Sequence, residues 1–142
     1  QYERDLRNGV ERAPDMLVIA TDANCQGYSD RRAEVSAEQA PCPTVFAIPD
    51  PHIERWLLLD GHAFKNVLGR GCDAPDQKCD RDRYKHQLAQ AVAATGVSPL
   101  LGGLEYAEDL VQAMDVARVA QADASFARFT EQLADQFNAW QV

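Results

Sequence analysis

Two short apolar runs, Met16-Leu17-Val18-Ile19-Ala20 and Thr44-Val45-Phe46-Ala47-Ile48, constrain the fold more than any other feature of the chain. Neither alternates polar with apolar, so each reads as a central strand covered on both faces. The first ends at Thr21-Asp22-Ala23-Asn24. The second ends at Pro49-Asp50-Pro51-His52 and leads directly into Ile53-Glu54-Arg55-Trp56-Leu57-Leu58-Leu59-Asp60. In an open α/β sheet, ligands and metals collect at this carboxyl edge, where strands give way to helices. Two strands alone do not make a stable sheet. The expectation is therefore either a further strand, around residues 97–101, or a sheet partner upstream of the chain.

Helical patterns fill most of the remainder. Residues 2–12 are charged, with Tyr2, Leu6 and Val10 on one side of a short helix. Ser29 or Asp30 is placed to cap a helix reaching about Gln39. Asp50-Pro51 reads as an N-cap followed by the first helical position. In that helix Ile53, Trp56, Leu57 and Asp60 share a face, and Glu54 points a third of a turn or more away. Turn residues recur from Gly61 to Asp80, so this segment is expected to be a long loop with one helical turn near 63–67. Asp80 then caps a helix striped by Tyr84, Leu88, Ala91 and Val92, which closes at Gly96. Leu104, Ala107, Val111 and Met114 keep helical spacing to about Ala117, past a Gly102-Gly103 bend. A last helix from Ala124 carries Phe126, Phe129, Leu133, Phe137 and Trp140. The expected order is α-β-α-β-α-loop-α-α-α in one domain, residues 1–142, helical from about residue 80.

A chain of 142 residues can bury a proper core without disulfide or metal staples. Its formal charge is −8, from 14 Lys and Arg against 22 Asp and Glu, which argues against nucleic-acid binding by overall charge. Nucleic-acid contact would need a local basic patch, a metal or a basic partner. Cys25, Cys42, Cys72 and Cys79 form no CxxC pair and have no zinc-finger spacing. They are expected to be reduced thiols in a cytoplasmic protein; the alternative is a metal site of Cys72, Cys79 and His86. No apolar run approaches the ~20 residues needed to span a bilayer, and no signal peptide is visible. The chain opens at Gln1, so a processed product or one domain of a longer polypeptide is expected.

The chemistry-bearing residues gather at the two strand ends. Asp22 and Asn24 are two apart, and on an extended chain both would face one hard cation such as Mg²⁺ or Mn²⁺ through oxygen. Their structural reading is a strand terminator followed by a left-handed turn. Glu54 either complements the helix dipole or projects to the same edge. Asp60 is either semi-buried and paired or simply ends the helix, and His52 is a candidate ligand or acid/base. Arg81, Lys85 and His86, with Lys78 upstream, form the main basic cluster. It reads as a phosphate contact or as a solvated helix face interleaved with Asp80 and Asp82. There is no GxGxxG and no GxxxxGK[ST].

The acidic turn, with Ile48-Pro49-Asp50-Pro51-His52-Ile53-Glu54-Arg55-Trp56-Leu57-Leu58-Leu59-Asp60, resembles the Toprim-like DUF4276 proteins, relatives of the overcoming-lysogenisation-defect nucleases. Weaker likeness extends through Asp80-Arg81-Asp82-Arg83-Tyr84-Lys85 and Gly102-Gly103-Leu104-Glu105-Tyr106, covering about residues 15–115. Asn24 stands where Toprim proteins carry the second Asp of an Asp-x-Asp pair. Their further glutamate belongs to an earlier strand, expected upstream of this chain. The resemblance implies a Rossmann-like Toprim sheet with flanking helices and a helical C-terminal half, and Mg²⁺-dependent phosphodiester chemistry. It also implies pairing with an ATPase in phage defence.

The leading expectation is thus a nuclease-like domain in which Asp22, Asn24 and Glu54 hold Mg²⁺ or Mn²⁺. Asp60 assists or orients, and Arg81, Lys85 and His86 contact phosphate, with Lys85 also in the catalytic set. The rivals are a non-catalytic interaction domain with a degenerate site and a small-molecule phosphoesterase.

Overall fold

A computed structural model describes residues 4, 5, 8, 9, 12, 14–35 and 40–141. The helix expected over 2–12 and the end of the one expected to reach Gln39 lie largely outside the described residues. Among these, the chain is a mixed α/β domain, mostly helical, with one two-stranded sheet. Its elements are β1 (Leu17–Ala20), α1 (Tyr28–Glu34), β2 (Thr44–Ala47), α2 (Ile53–Leu58), α3 (Gly61–Leu68) and α4 (Arg83–Ala93). A 3₁₀ turn at Leu104–Tyr106 precedes α5 (Ala107–Ala113), α6 (Val116–Ala122) and α7 (Ala124–Trp140).

β1 and β2 pair in parallel, Leu17 opposite Thr44 and Ala20 opposite Ala47. A parallel pair needs a crossover, and α1 lies within it. Only β2 meets the expectation of burial on both faces. Val45, Phe46 and Ala47 are buried, whereas Val18 and Ala20 of β1 are exposed. The difference comes from α7, which packs on β2 and whose Gln132 Oε1 accepts the Phe46 N–H at 3.1 Å. Residues 97–101 form no strand: Leu100 and Leu101 are 85% and 69% exposed in a turn.

α2 is six residues long, yet Glu54, Arg55, Trp56, Leu57 and Leu58 are all buried. It sits between two core clusters and so has almost no wet face. Leu57 and Leu58 join Phe64, Tyr84, Leu88, Val92 and Leu110 on one side. On the other, Trp56 joins Ala47, Ala63, Met114, Val119 and Phe126. The Trp56 ring stacks on Phe129 and meets Phe126 edge-on, with centroids 5.7 and 5.2 Å away, and its Nε1–H reaches Ser125 Oγ at 2.9 Å. Such pairs combine a large apolar area with a satisfied polar handle.

Several helix ends correct the sequence expectation. The Asp50-Pro51 peptide is cis, and α2 begins two residues later, at Ile53. The carboxylate at its start is Asp22, whose Oδ1 accepts the Ile53 N–H at 2.9 Å. The segment after Gly61 opens as a two-turn helix capped by Asp60, and it ends at Gly69 in the left-handed region. Of the expected stripe, Tyr84, Leu88 and Val92 are fully buried and Ala91 is half-buried, and Asp82 rather than Asp80 occupies the cap position. The helix expected through Ala117 breaks at Met114, because the Asp115 N–H is taken by the Asp60 carboxylate at 2.9 Å.

The thiol expectation is corrected for one pair. Cys25 and Cys79 form a disulfide across 54 residues, with Cα atoms 5.7 Å apart, inside the range a bridge requires. Cys42 and Cys72 are free. With Cys79 bonded, the alternative metal site of Cys72, Cys79 and His86 dissolves.

Candidate functional site

The β1 end is fastened to the β2–α2 turn. Thr21 N–H reaches Ala47 O at 3.0 Å, Ala23 N–H reaches Pro49 O at 2.9 Å, and Asn24 N–H reaches Pro51 O at 3.1 Å. The chain then reverses through Asn24 (φ 48°) and Cys25 (φ 69°), both left-handed. Asparagine tolerates this conformation because its short amide substitutes for backbone partners. The extended alternation supposed for Asp22 and Asn24 therefore stops before Asn24. Both residues nevertheless line one cavity of about 210 Å³, together with His52, Arg81, Asp82 and Lys85.

The opposite wall is the start of α4. Asp82 (φ 57°) bonds both cations, Lys85 Nζ at 3.4 Å and Arg81 Nε at 3.6 Å. Buried Tyr84 secures the loop behind it. Its hydroxyl accepts the Lys78 N–H at 2.8 Å and lies 2.9 Å from the Asp76 carbonyl oxygen. Burial pushes that phenol up. Asp76 grips Arg83 through two bonds of 2.9 and 2.5 Å, and the guanidinium holds its carboxyl below the ordinary carboxylate range. Arg55 Nε–H adds a 2.9 Å bond to the Asp76 carbonyl.

Asp22, Asn24, Arg81 and Lys85 are thus brought together, and His52 and Asp82 join them. In the sequence Asp82 is only a charge interleaved with the basic cluster, and no signal there marks it as the ion that pairs Arg81 with Lys85. Three expected residues are not among those lining this cavity. His86 lies on an exposed part of α4. Glu54 is buried, with no hydrogen-bond partner for Oε2 among the described residues. Asp60 is consumed by structure. It receives His62 and Ala63 N–H at 3.0 and 3.2 Å, Asp115 N–H at 2.9 Å, and the Arg118 guanidinium on both oxygens at 2.7 Å. A carboxylate so saturated has no lone pair left for substrate, which corrects its assisting role.

The donor set facing the cavity is small. Asp22 Oδ1 is held by Ile53, leaving Oδ2, and Asn24 contributes a neutral amide oxygen. Among the described residues no group of three or more His, Cys, Asp or Glu is placed to hold a metal ion. One carboxylate and one amide still fit Mg²⁺, which is usually held by one or two protein ligands with substrate phosphates and water completing the octahedron. Arg81 and Lys85 supply cationic donors for such an anion. Two larger cavities, of about 340 and 500 Å³, contain none of Asp22, Asn24, Glu54, Asp60, Arg81, Lys85 and His86; Cys72 lines the first, and Lys78 and Cys79 line the second. Among the described residues no helix is long and apolar enough to cross a membrane. Compared with family models, curated proteins and solved structures, the chain matches none.

Proposed function

We propose that this cavity binds a phosphodiester of nucleic acid and processes it with Mg²⁺ or Mn²⁺, as the Toprim-like resemblance implies. The observation that carries the reading is the shared cavity: two oxygen donors on the β1 turn line about 210 Å³ together with two cations, Arg81 just ahead of α4 and Lys85 in its first turn. Asp22 and Asn24 would hold the ion, which when bound neutralises phosphate charge and lowers the pKa of water. Arg81 and Lys85 exchange their contacts with Asp82 for phosphate oxygens, the bidentate guanidinium fixing orientation and the ammonium adding a point charge. His52 faces the same space and can pass a proton to the leaving oxygen. At a net charge of −8, affinity for a polymer rests on this local basic wall or on a basic partner, such as an ATPase subunit, rather than on the general field.

A second reading is a non-catalytic interaction domain. It is favoured by the absence of Glu54 and Asp60 from the cavity lining, which among the described residues leaves Asp22 as the one carboxylate there not paired with the cations.

Nicking of supercoiled DNA and cleavage of single-stranded RNA by the full chain, with Mg²⁺ or Mn²⁺, separate the readings. Asp22→Asn keeps an acceptor for the Ile53 N–H while removing the charge, and Lys85→Ala removes the phosphate donor. Each is expected to lower cleavage about 100-fold or more, the scale of one electrostatic contact at a reacting centre. Wild-type rates equal to those of both variants would discard the catalytic reading. Turnover of nucleotides without polymers would move the assignment to a phosphoesterase.

A further inference from the structure

The two walls of the cavity are held by different sets of local contacts. The acidic turn is bonded to Pro49, Pro51 and Ile53, and the basic segment to Asp76, Lys78 and Tyr84. Among the described residues, no hydrogen bond or ion pair runs from residues 21–27 to residues 77–82. Both are tied to α2, the turn through Asp22 and Ile53 and the basic segment through Asp76 and Arg55, and the direct link between them is the Cys25–Cys79 bridge. Cys25 directly follows Asn24, and Cys79 lies two residues before Arg81, so the bond sits beside the cavity whose halves it ties. Both cysteines are exposed and in irregular backbone. Exposed bridges are the ones thiols can reach, and they are more often labile or regulatory than buried structural bridges.

We propose that Cys25–Cys79 is a redox clasp that sets the spacing between the Asp22–Asn24 turn and the Arg81–Lys85 wall. A dithiol reductant opens it by exchange. One reductant thiolate attacks either sulfur and forms a mixed disulfide, and its second thiol then displaces the chain cysteine. Two electrons and two protons pass to Cys25 and Cys79, and the reductant leaves as a disulfide. A disulfide oxidant reverses the step. Oxidised, the donors and cations face one another. Reduced, each wall keeps its own anchors and the pair loses its register. The consequence for ligand binding rests on the proposed phosphate-handling role; the mechanical clasp does not.

The test compares the oxidised full chain, the same chain reduced with dithiothreitol and desalted without air, and the Cys25→Ser/Cys79→Ser double variant. Thiol titration should rise from the two free cysteines of the oxidised chain to all four on reduction. Hydrogen exchange over residues 22–26 and 78–82 should accelerate about tenfold in the reduced chain and the double variant, with the interior of α4 unchanged. Binding of Mn²⁺ with inorganic phosphate, read by electron paramagnetic resonance, should weaken about fivefold or more. Four titratable thiols before reduction, or equal exchange in oxidised and reduced chains, would overturn the clasp. So would equal Mn²⁺–phosphate binding in both forms, while leaving the phosphate reading intact. A change in exchange without Mn²⁺–phosphate binding in either form supports the clasp and removes the phosphate reading.

Discussion

At the scale of single residues, Asp60 and Glu54 show how two buried carboxylates in one stretch diverge. Asp60 caps α3, stops α5 by drawing in the Asp115 N–H and receives Arg118, so five distances of 2.7 to 3.2 Å converge on one group. Asp60→Ala strands buried backbone donors and removes a cap. The expected loss is about 3 kcal/mol, measured as a fall in urea midpoint at constant m. Glu54 is the opposite case, because its Oε2 is buried with no hydrogen-bond partner among the described residues. Glu54→Gln removes the desolvation cost of the charge, and the expected outcome is a gain of about 1 kcal/mol in the same assay. A loss of stability instead would mean that the carboxylate has an ionic partner. The sequence marked both acids as candidates for chemistry and left a paired, semi-buried Asp60 open. It could not choose, because Asp115 and Arg118 lie 55 and 58 residues away.

Among the elements, α4 followed its sequence pattern, α7 followed it only in its first half, since Phe137 and Trp140 of its stripe are 46% and 49% exposed, and α2 did not. A stripe at 3.6-residue spacing is readable when a helix has one wet face; α2 has almost none. The start of α7 shows what the pattern omits. Asp123 accepts the Phe126 N–H at 2.8 Å and the Ser125 hydroxyl at 2.5 Å, and it pairs with buried Arg55 from α2. Asp123→Ala leaves that guanidinium uncompensated, with an expected cost of about 3–5 kcal/mol in chemical denaturation. The bend ahead of α5 is equally specific. Gly103 sits at φ +96°, and a Cβ there would meet Leu88 Cγ and Val92 Cγ2, each at 2.9 Å. Gly103→Ala is expected to destabilise by about 2 kcal/mol or more, through overpacking and a disfavoured backbone. Gly102 is also left-handed but has no atom within 4 Å of such a Cβ, so Gly102→Ala should cost less. The Gly102-Gly103 pair was legible as a bend, whereas the glycine pressed against α4 was not.

For the whole molecule, pH is a direct probe of these pairings. Burial raises the Asp60 carboxyl, but the Asp115, Ala63 and His62 N–H groups and Arg118 outweigh it and hold it below the ordinary range. Glu105 follows the same rule through the Leu100, Leu101 and Gly103 N–H groups, and Asp76 is held down by Arg83. A carboxylate whose folded pKa is depressed binds fewer protons folded than unfolded. Its stabilisation is therefore complete above about pH 5 and is lost as pH falls through the folded pKa. The urea midpoint should be nearly flat from pH 5.5 to 8 and drop below pH 4, less steeply in Asp60→Asn. An equal slope in that variant would remove Asp60 from the acid response. The sequence by itself determined where the two strands run, that their carboxyl ends carry Asp22, Asn24 and an Asp-Pro turn, and which face of α4 is buried. These follow from steric and hydropathic patterns repeating within two to four residues. Only the tertiary structure decided that Asp22 rather than Asp50 meets the start of α2, that Asp82 couples Arg81 to Lys85, that Asp60 is spent on Asp115 and Arg118, and that Cys25 finds Cys79. Apart from the Asp82 contacts, which turn on the backbone entering α4, those partners are 31 to 58 residues apart. Their meeting is set by how the helices pack around Trp56 and Tyr84, not by any local repeat in the chain.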